Sequence, residues 1–339
     1  MTKCQRGDTR AIFFLSATAL VFLATGCQGR RDSEVRLALQ PPSTNNYPGY
    51  FAEWLGFYRQ EGLNVTISQI AGASRVLEAV VGGSADVGGG VYEQSIQMAA
   101  EGRRVVTFVS FLRSPNFALV AAPDPNGQPV KTIAELRRKT VGVSSLGSPS
   151  QFYLNYLLVA AKVSPNEVAT SNVGMGATGV VALEQGQVAA AMLFGSAITA
   201  YQARQPDAAI LADSRSPEGL KAAFGVDDYP ASSFLATAAW LEKNPATAKK
   251  LAAAVLRSLA WIREHSPEEI LARVPQEFHV GDPHAEVEAI RQAKPMYSID
   301  GRIRPESAEA VRKVLEGSLE KVRAAQIDLS TTYTNAFLP

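Results

Sequence analysis

The stretch Val65-Thr66-Ile67-Ser68-Gln69-Ile70-Ala71-Gly72-Ala73-Ser74-Arg75-Val76-Leu77-Glu78-Ala79-Val80-Val81-Gly82-Gly83-Ser84-Ala85-Asp86-Val87-Gly88 carries the decision about the fold. A short apolar run from Val65 to Ile70 leads through a helical pattern, Ser74 to Val81, into a second short run, Ala85 to Gly88. The connection is long enough for a βαβ crossover. The alternation continues outward on both sides. Upstream lie a strand candidate from Val35 to Leu39 and a helix candidate from Pro48 to Gln60; downstream follow a helix from Tyr92 to Glu101 and a strand from Val105 to Leu112. A second set of strands reads Phe117 to Ala121, Val141 to Ser144, Val168 to Val173, Ala189 to Phe194 and Ala209 to Ala212. Its helices run from Ile133 to Arg138, Pro149 to Lys162, Gly179 to Gln185 and Ala197 to Ala203. Such alternation predicts an α/β fold with mostly parallel sheets.

A chain of 339 residues divides into two lobes of ordinary domain size. A new apolar run begins at Ser232, and from Pro245 onward the pattern is almost wholly helical, with Val311, Val314, Leu315, Leu319 and Val322 recurring at spacings of three and four. The expectation is a discontinuous first lobe, residues 35–113 and 232–339, whose C-terminal helices pack back on the first sheet. The second lobe is residues 114–231, joined by two crossings, near Arg113 to Asn116 and near Pro230 to Ser233. No repeat of solenoid length and no low-complexity tract interrupts this organisation.

The N-terminus has the outline of a signal peptide over residues 1–26: Lys3, Arg6 and Arg10, an apolar run from Ala11 to Ala24, then small residues before polar Gln28-Gly29-Arg30-Arg31-Asp32. The run is shorter than the roughly 20 apolar residues a membrane span needs. Leu23-Ala24-Thr25-Gly26-Cys27 resembles a bacterial lipobox, with Ala24 standing where lipoboxes usually carry Leu. That resemblance implies a lipidated Cys27, a tether over residues 27–34 and an extracytoplasmic protein anchored to a membrane. Cys4 and Cys27 are the only cysteines, so no disulfide is left to the mature fold. The charge is nearly balanced, 33 basic against 32 acidic residues, with no basic stripe of the kind nucleic acid requires; nucleic-acid partners are excluded.

Gly56-Phe57-Tyr58, Glu61-Gly62-Leu63-Asn64-Val65, Gly72-Ala73-Ser74-Arg75-Val76-Leu77-Glu78 and Gly83-Ser84-Ala85-Asp86-Val87-Gly88 resemble the sulfonate, nitrate, taurine and thiamine-precursor (NMT1-like) binding-protein family. Thr132-Ile133-Ala134-Glu135-Leu136, Val141-Gly142-Val143 and the ending Asp328-Leu329-Ser330 to Asn335-Ala336-Phe337-Leu338-Pro339 fit the same family. The order and spacing of these motifs, more than any one of them, carry the resemblance. It implies a type II periplasmic-binding-protein fold, two α/β lobes that close on a solute by hinge bending. It further implies a monomer without cofactor that delivers the solute to an ABC permease and its ATPase.

Ligands of open α/β sheets sit outside the carboxyl ends of the strands, so the loops after each strand hold the candidates. Ser43-Thr44-Asn45-Asn46-Tyr47 gathers hydroxyls, amides and an aromatic; Thr44, Asn46 and Tyr47 are candidate ligand contacts, or else parts of an ordinary capped turn. Ser74 is a candidate cap, and Arg75 offers a charged fork to a carboxylate, sulfonate or phosphate, or else pairs with Glu78 in solvent. Gly88, Gly89 and Gly90 suggest a backbone passing close to something, with Glu93 just beyond. Ser148 as N-cap and Pro149 at the first helical position announce a helix start whose free N–H groups, with Ser150, suit an anion. Gly176, Ala177 and Phe194 complete the set after the next two strands, and Asn116 joins it from the first crossing.

Gly174-Met175-Gly176-Ala177-Thr178-Gly179 matches the glycine pattern of dinucleotide sites, but the next strand ends in Phe194-Gly195-Ser196, without the acidic residue a ribose needs. Gly142-Val143-Ser144-Ser145-Leu146 lacks the second glycine of a nucleophile elbow. His279, Asp282 and His284 sit in a Gly-Pro turn with no cysteine nearby and read as surface residues, so no metal is expected. The expected function is therefore capture of a small polar or anionic solute, not catalysis. Alternatives are a thiamine-pyrimidine precursor as solute, a ligand-sensing lipoprotein, or a pyrimidine synthase of the same fold, whose cysteine-rich iron site this chain lacks.

Overall fold

The computed structural model describes residues 33–123, 130–279 and 282–339, so the signal-peptide, tether and lipidation readings, and all but the last residues of 27–34, lie outside the described residues. The first segment runs β1 (Ser33–Leu39), α1 (Tyr47–Trp54), α2 (Phe57–Gln60), β2 (Leu63–Gln69), α3 (Ala73–Val81), β3 (Val87–Val91), α4 (Tyr92–Ala100) and β4 (Val105–Ser110). The second runs β5 (Phe117–Ala121), β6 (Thr140–Val143), α5 (Pro149–Ala160), β7 (Ala169–Asn172), α6 (Ala177–Glu184), β8 (Ala190–Phe194), α7 (Ser196–Arg204), β9 (Ala209–Asp213) and α8 (Pro217–Phe224). The chain then returns through β10 (Ser232–Thr237) to the helices α9 (Ala238–Lys243), α10 (Pro245–Glu264), α11 (Pro267–Leu271), α12 (Pro283–Ala293), α13 (Pro305–Glu316) and α14 (Glu320–Ala324).

Among the described residues the strands form two five-stranded sheets, β2-β1-β3-β10-β4 and β7-β6-β8-β5-β9. The pairs β1–β2, β1–β3, β6–β7 and β6–β8 are parallel, whereas β10 runs antiparallel to β3 and β4, and β5 antiparallel to β8 and β9. The sheets are therefore mixed rather than nearly all parallel. The reason is topological: β5 and β10 are the strands by which the chain enters a sheet from the other lobe, with no βαβ crossover to set their direction.

Local chemistry explains the other departures from the sequence reading. The single helix expected from Pro48 to Gln60 is broken at Gly56, which adopts φ +71°, a left-handed conformation that lets α2 restart at a new angle. The strand expected to end at Gly88 instead continues to Val91, taking all three glycines into its interior. A Cβ on Gly88 would lie 2.8 Å from Val80 Cγ2 and 2.9 Å from Val76 Cγ1, so the bare strand lets α3 lie close to the sheet. Val76, Leu77 and Val80 are buried there, each contributing roughly 1.5–3 kcal/mol. Helix α8 was not expected; Ser216 caps it by accepting from Gly219 N, Pro217 opens it and Gly225 ends it in the left-handed region.

The C-terminal helices do more than cover the first sheet. Helix α10 packs on α1 and β4, but α13 touches α5 and α12 touches α7, so they also reach the second lobe. Arg215 Nη1 donates to Gln292 Oε1 at 2.7 Å along this contact.

Candidate functional site

Strand directions determine where the lobes meet. β5 begins opposite the carboxyl end of β8, Phe117 pairing with Phe194, and β10 begins opposite the end of β3, Ser232 pairing with Val91. Each crossing thus enters its new sheet at the edge where the parallel strands finish. The two crossings also bond to each other: Phe111 N donates to Ser232 O, Ala231 N to Leu112 O and Tyr229 N to Arg113 O, at 2.7–3.0 Å. This short paired ribbon brings the carboxyl edges of both sheets face to face.

From the first lobe, the loop after β1 approaches this meeting place. Thr44 is buried, its carbonyl accepts from Tyr297 Oη at 2.6 Å, and a Cβ on Gly195 of the second lobe would lie 3.9 Å from its hydroxyl. Asn45 Oδ1 accepts from Asn116 Nδ2 at 2.8 Å, linking the first-lobe loop to the first crossing. Asn116 is buried at φ +55°, a conformation Asn tolerates, and its amide donates to Ser114 Oγ. Asn46 instead folds its own loop: Oδ1 accepts from Ser43 N while Nδ2 donates to the carbonyls of Gln40 and Pro41. Tyr47, also a candidate contact, packs into the core against Phe51 and Trp54 as a scaffold side chain.

Glu93, in the first turn of α4, is 0% exposed. Its Oε1 accepts a short hydrogen bond from Tyr153 Oη on α5 and another, at 3.1 Å, from Tyr229 Oη on the second crossing. Burial pushes the Glu93 carboxyl above the usual range, while the Tyr153 and Tyr229 hydroxyls and its own backbone amide favour the charged form. Both tyrosines are held well above their ordinary value, first by burial and then by the neighbouring carboxylate, so they remain donors. Tyr153 stacks on Phe117 (centroids 4.9 Å, planes 12° apart), and Phe224 and Tyr229 close the cluster with their centroids 4.9 Å apart. Glu93 Oε2 is buried and receives no hydrogen bond among the described residues.

From the second lobe, the N-terminus of α5 presents Ser148 and Ser150. Their hydroxyls form a triangle with Ser144, with edges of 2.8–2.9 Å, and Ser148 makes no side-chain cap bond to the helix. Gly176 is the residue before α6 and Ala177 its first residue; Phe194 ends β8 half-buried, its amide donating to Met175 O at 3.2 Å. The loops after β6, β7 and β8 thus lie along one edge.

Four candidates fall elsewhere. Gly89 and Gly90 are inside β3, where a Cβ would lie 2.2 Å from Leu39 Cδ2 and 2.2 Å from Gln94 Oε1 respectively; the close approach their lack of a side chain permits is to the protein itself. Ser74 does not cap α3, because the helix begins one residue earlier with Gly72 (φ +95°) at the cap position. Arg75 is exposed in the first turn of α3, after edge strand β2, and makes no hydrogen bond or ion pair among the described residues, not even with Glu78.

Sequence reasoning missed Asn45, Tyr153 and Tyr229. Signals were present: Tyr153 lies one turn into the helix announced by Ser148-Pro149, and Tyr229 sits in the Asp228-Tyr229-Pro230 crossing. Among the described residues no group of three His, Cys, Asp or Glu is arranged to hold a metal; His279 Nδ1 faces Glu286 Oε2 at 3.2 Å and its Nε2 the Val274 carbonyl.

Comparison with known proteins places this geometry. The model of the NMT1/THI5 like family matches residues 43–270. The putative binding protein YtlA of Bacillus subtilis (strain 168) is 24% identical over 309 residues, covering 89% of this chain and 88% of its own length. A protein of Bordetella bronchiseptica RB50 has a similar solved structure, with 31% identity and a TM-score of 0.81, covering 91% of this chain and 96% of that one. The periplasmic aliphatic sulphonate binding protein SsuA of Escherichia coli is similar at a TM-score of 0.68 and 20% identity, covering 88% and 91%. The architecture is the periplasmic-binding-protein fold, two mixed α/β lobes. Because the family model spans well over half of its length, the chain belongs to the NMT1/THI5-like family.

Proposed function

We propose that this protein is the solute-binding component of an ABC import system, closing its two lobes on a small polar solute. The observation that carries the reading is the pair of facing carboxyl edges, joined by contacts from both sides: Asn45 with Asn116, Thr44 close to Gly195, and Glu93 with Tyr153 and Tyr229, while Ser148 and Ser150 open α5 on the second lobe's edge. Contacts that exist only when the lobes meet make closure the binding event, and the affinity then depends on how readily the closed state is populated. The relatives named as binding proteins support the same reading.

In this reading the protein works outside the cytoplasm, held to a membrane through a lipid on Cys27, and hands its solute to a permease served by an ATPase. Among the described residues no helix is long and apolar enough to cross a membrane. For a sulfonate, nitrate or carboxylate, the start of α5 at Ser148 and Ser150 offers free N–H and hydroxyl groups at the second lobe's edge. A thermal-shift screen of the purified protein against sulfonates, nitrate, carboxylates, amino acids and nitrogen heterocycles tests solute capture. A concentration-dependent rise of the midpoint for one class is expected, because a ligand bound only by the folded state stabilises it. A flat response across all classes contradicts the proposal.

A further inference from the structure

A cavity of about 450 Å³ lies beside the two crossings and the start of α13, with Arg113, Asp228, Ser298, Ile299, Arg304 and Ser307 among its walls. In a close-packed interior a segment is held in place by the bulk of its neighbours. The second crossing lacks that support on its cavity side, so the polar groups that reach it decide where it sits.

Arg113 Nη2, from the first crossing, donates to the Asp227 carbonyl at 2.6 Å. Ser307 Oγ, in the first turn of α13, donates to Asp228 Oδ2 at 2.7 Å, and Arg304 Nη1 stands 3.9 Å from the same oxygen. Arg304 is itself steadied by Asp300, whose Oδ2 lies 2.9 Å from its Nη2. Ser307 is 1% exposed, so its hydroxyl has no water to turn to when Asp228 moves away. Burial pushes the Asp228 carboxyl above the usual range, while Ser307, Arg113 and Arg304 favour its charged form.

The partners of this link stand on opposite sides of the bend. Helix α13 packs on α4 of the first lobe. Asp228 follows α8 of the second and is the last residue before the paired ribbon, where Tyr229 N donates to Arg113 O. The structure shows the link made while the lobes are together, with Asn45 bonded to Asn116 and Glu93 to Tyr153.

We propose that Asp228 is the positioning residue of lobe closure: its bond from Ser307, with Arg304 behind it, holds the second crossing where the lobes meet, and losing it shifts the molecule toward the open form. This rests on the solute-capture reading and assigns the residue that sets how readily the closed state is populated.

Pulsed electron spin resonance between labels on Glu78→Cys of α3 and Val181→Cys of α6, both exposed and one on each lobe, reads open and closed populations without any solute. Cys4 and Cys27, the only native cysteines, become Ser in this background. Ser307→Ala and Asp228→Ala should each lower the closed-to-open ratio about tenfold, the scale of one hydrogen bond to a charged group. Asp228→Asn, which keeps an acceptor for Ser307, should restore most of the loss, and the double variant Asp228→Ala/Ser307→Ala should fall no further than either change alone. Ser307→Ala removes a single oxygen and gives the answer even if Asp228→Ala folds poorly. Two distances whose ratio is the same in every variant overturn the role of Asp228 and leave solute capture standing. One distance shared by all the variants contradicts lobe motion, and both readings fall with it.

Discussion

Replacing Tyr153 by Phe removes one oxygen from the place where the lobes meet and little else. The ring remains stacked on Phe117 at 4.9 Å and against Phe224 at 5.8 Å, so the core of the second lobe keeps its packing. What disappears is the donor to Glu93 Oε1, a bond between α5 and α4 that can form only with the lobes together. A hydrogen bond to a charged group contributes about 1.5–3 kcal/mol. Tyr229 still donates to the same oxygen at 3.1 Å, which puts the loss near the lower figure. About 1.5 kcal/mol taken from the closed state alone raises the Kd of any solute about tenfold, whatever that solute is. Calorimetric titration reads the affinity, and urea unfolding of the unliganded protein reads the stability of the lobes, which should move little. An unchanged Kd, or a large loss of stability with no loss of affinity, would show that Tyr153 serves the core of its own lobe and not closure.

Other consequences follow from the same contacts. Because burial raises the Glu93 carboxyl in the folded protein, the folded state holds that proton more tightly than the unfolded chain. The facing groups Tyr92, Tyr153 and Tyr229 are all raised and stay un-ionised, so they add no titration of their own there. Glu93 therefore stabilises the unliganded fold fully below the ordinary carboxylate range, about pH 4, and loses that contribution as pH rises through its folded value. In urea unfolding, Glu93→Gln should gain stability relative to wild type as pH climbs; a constant difference from pH 4 to pH 8 speaks against it. Asn116→Ala should cost roughly 1–3 kcal/mol by forcing a Cβ residue to φ +55° without Asn's local bonds and by losing the bond to Asn45. Asn116→Gly should cost less by the same assay, since only the bond is lost. Gly89→Ala, whose Cβ would lie 2.2 Å from Leu39 Cδ2, should lose about 1–3 kcal/mol with solute affinity per folded molecule unchanged. Wild-type stability with weakened binding would instead return Gly89 to the ligand site.

Periodicity made the α/β alternation legible because each strand and helix carries its own local signal. β5 was read with its observed limits, and β1, β6 and β8 within two residues at each end. Strand direction was not legible for β5 and β10, because an antiparallel entry from another lobe leaves no mark on the residues of the strand. Gly89 and Gly90 were read as lying beyond the strand for a related reason: what they avoid, Leu39, Gln94 and Leu235, is distant in sequence or on another element. Thr44, Glu93, Asn116 and Ser148 were singled out from their places just after a strand or at a crossing, and the fold brings all four to the edges where the lobes meet. Asn46 and Tyr47 look no different in sequence from Asn45, yet they turn inward while Asn45 bridges the lobes, and only the folded loop distinguishes them.

Small-angle X-ray scattering of the purified protein, with and without the solute that most raises its melting midpoint, tests the central claim most directly. Capture by lobe closure predicts a smaller radius of gyration that saturates at one solute per chain. Scattering that is identical with the solute bound would contradict closure as the event by which this protein holds what it carries.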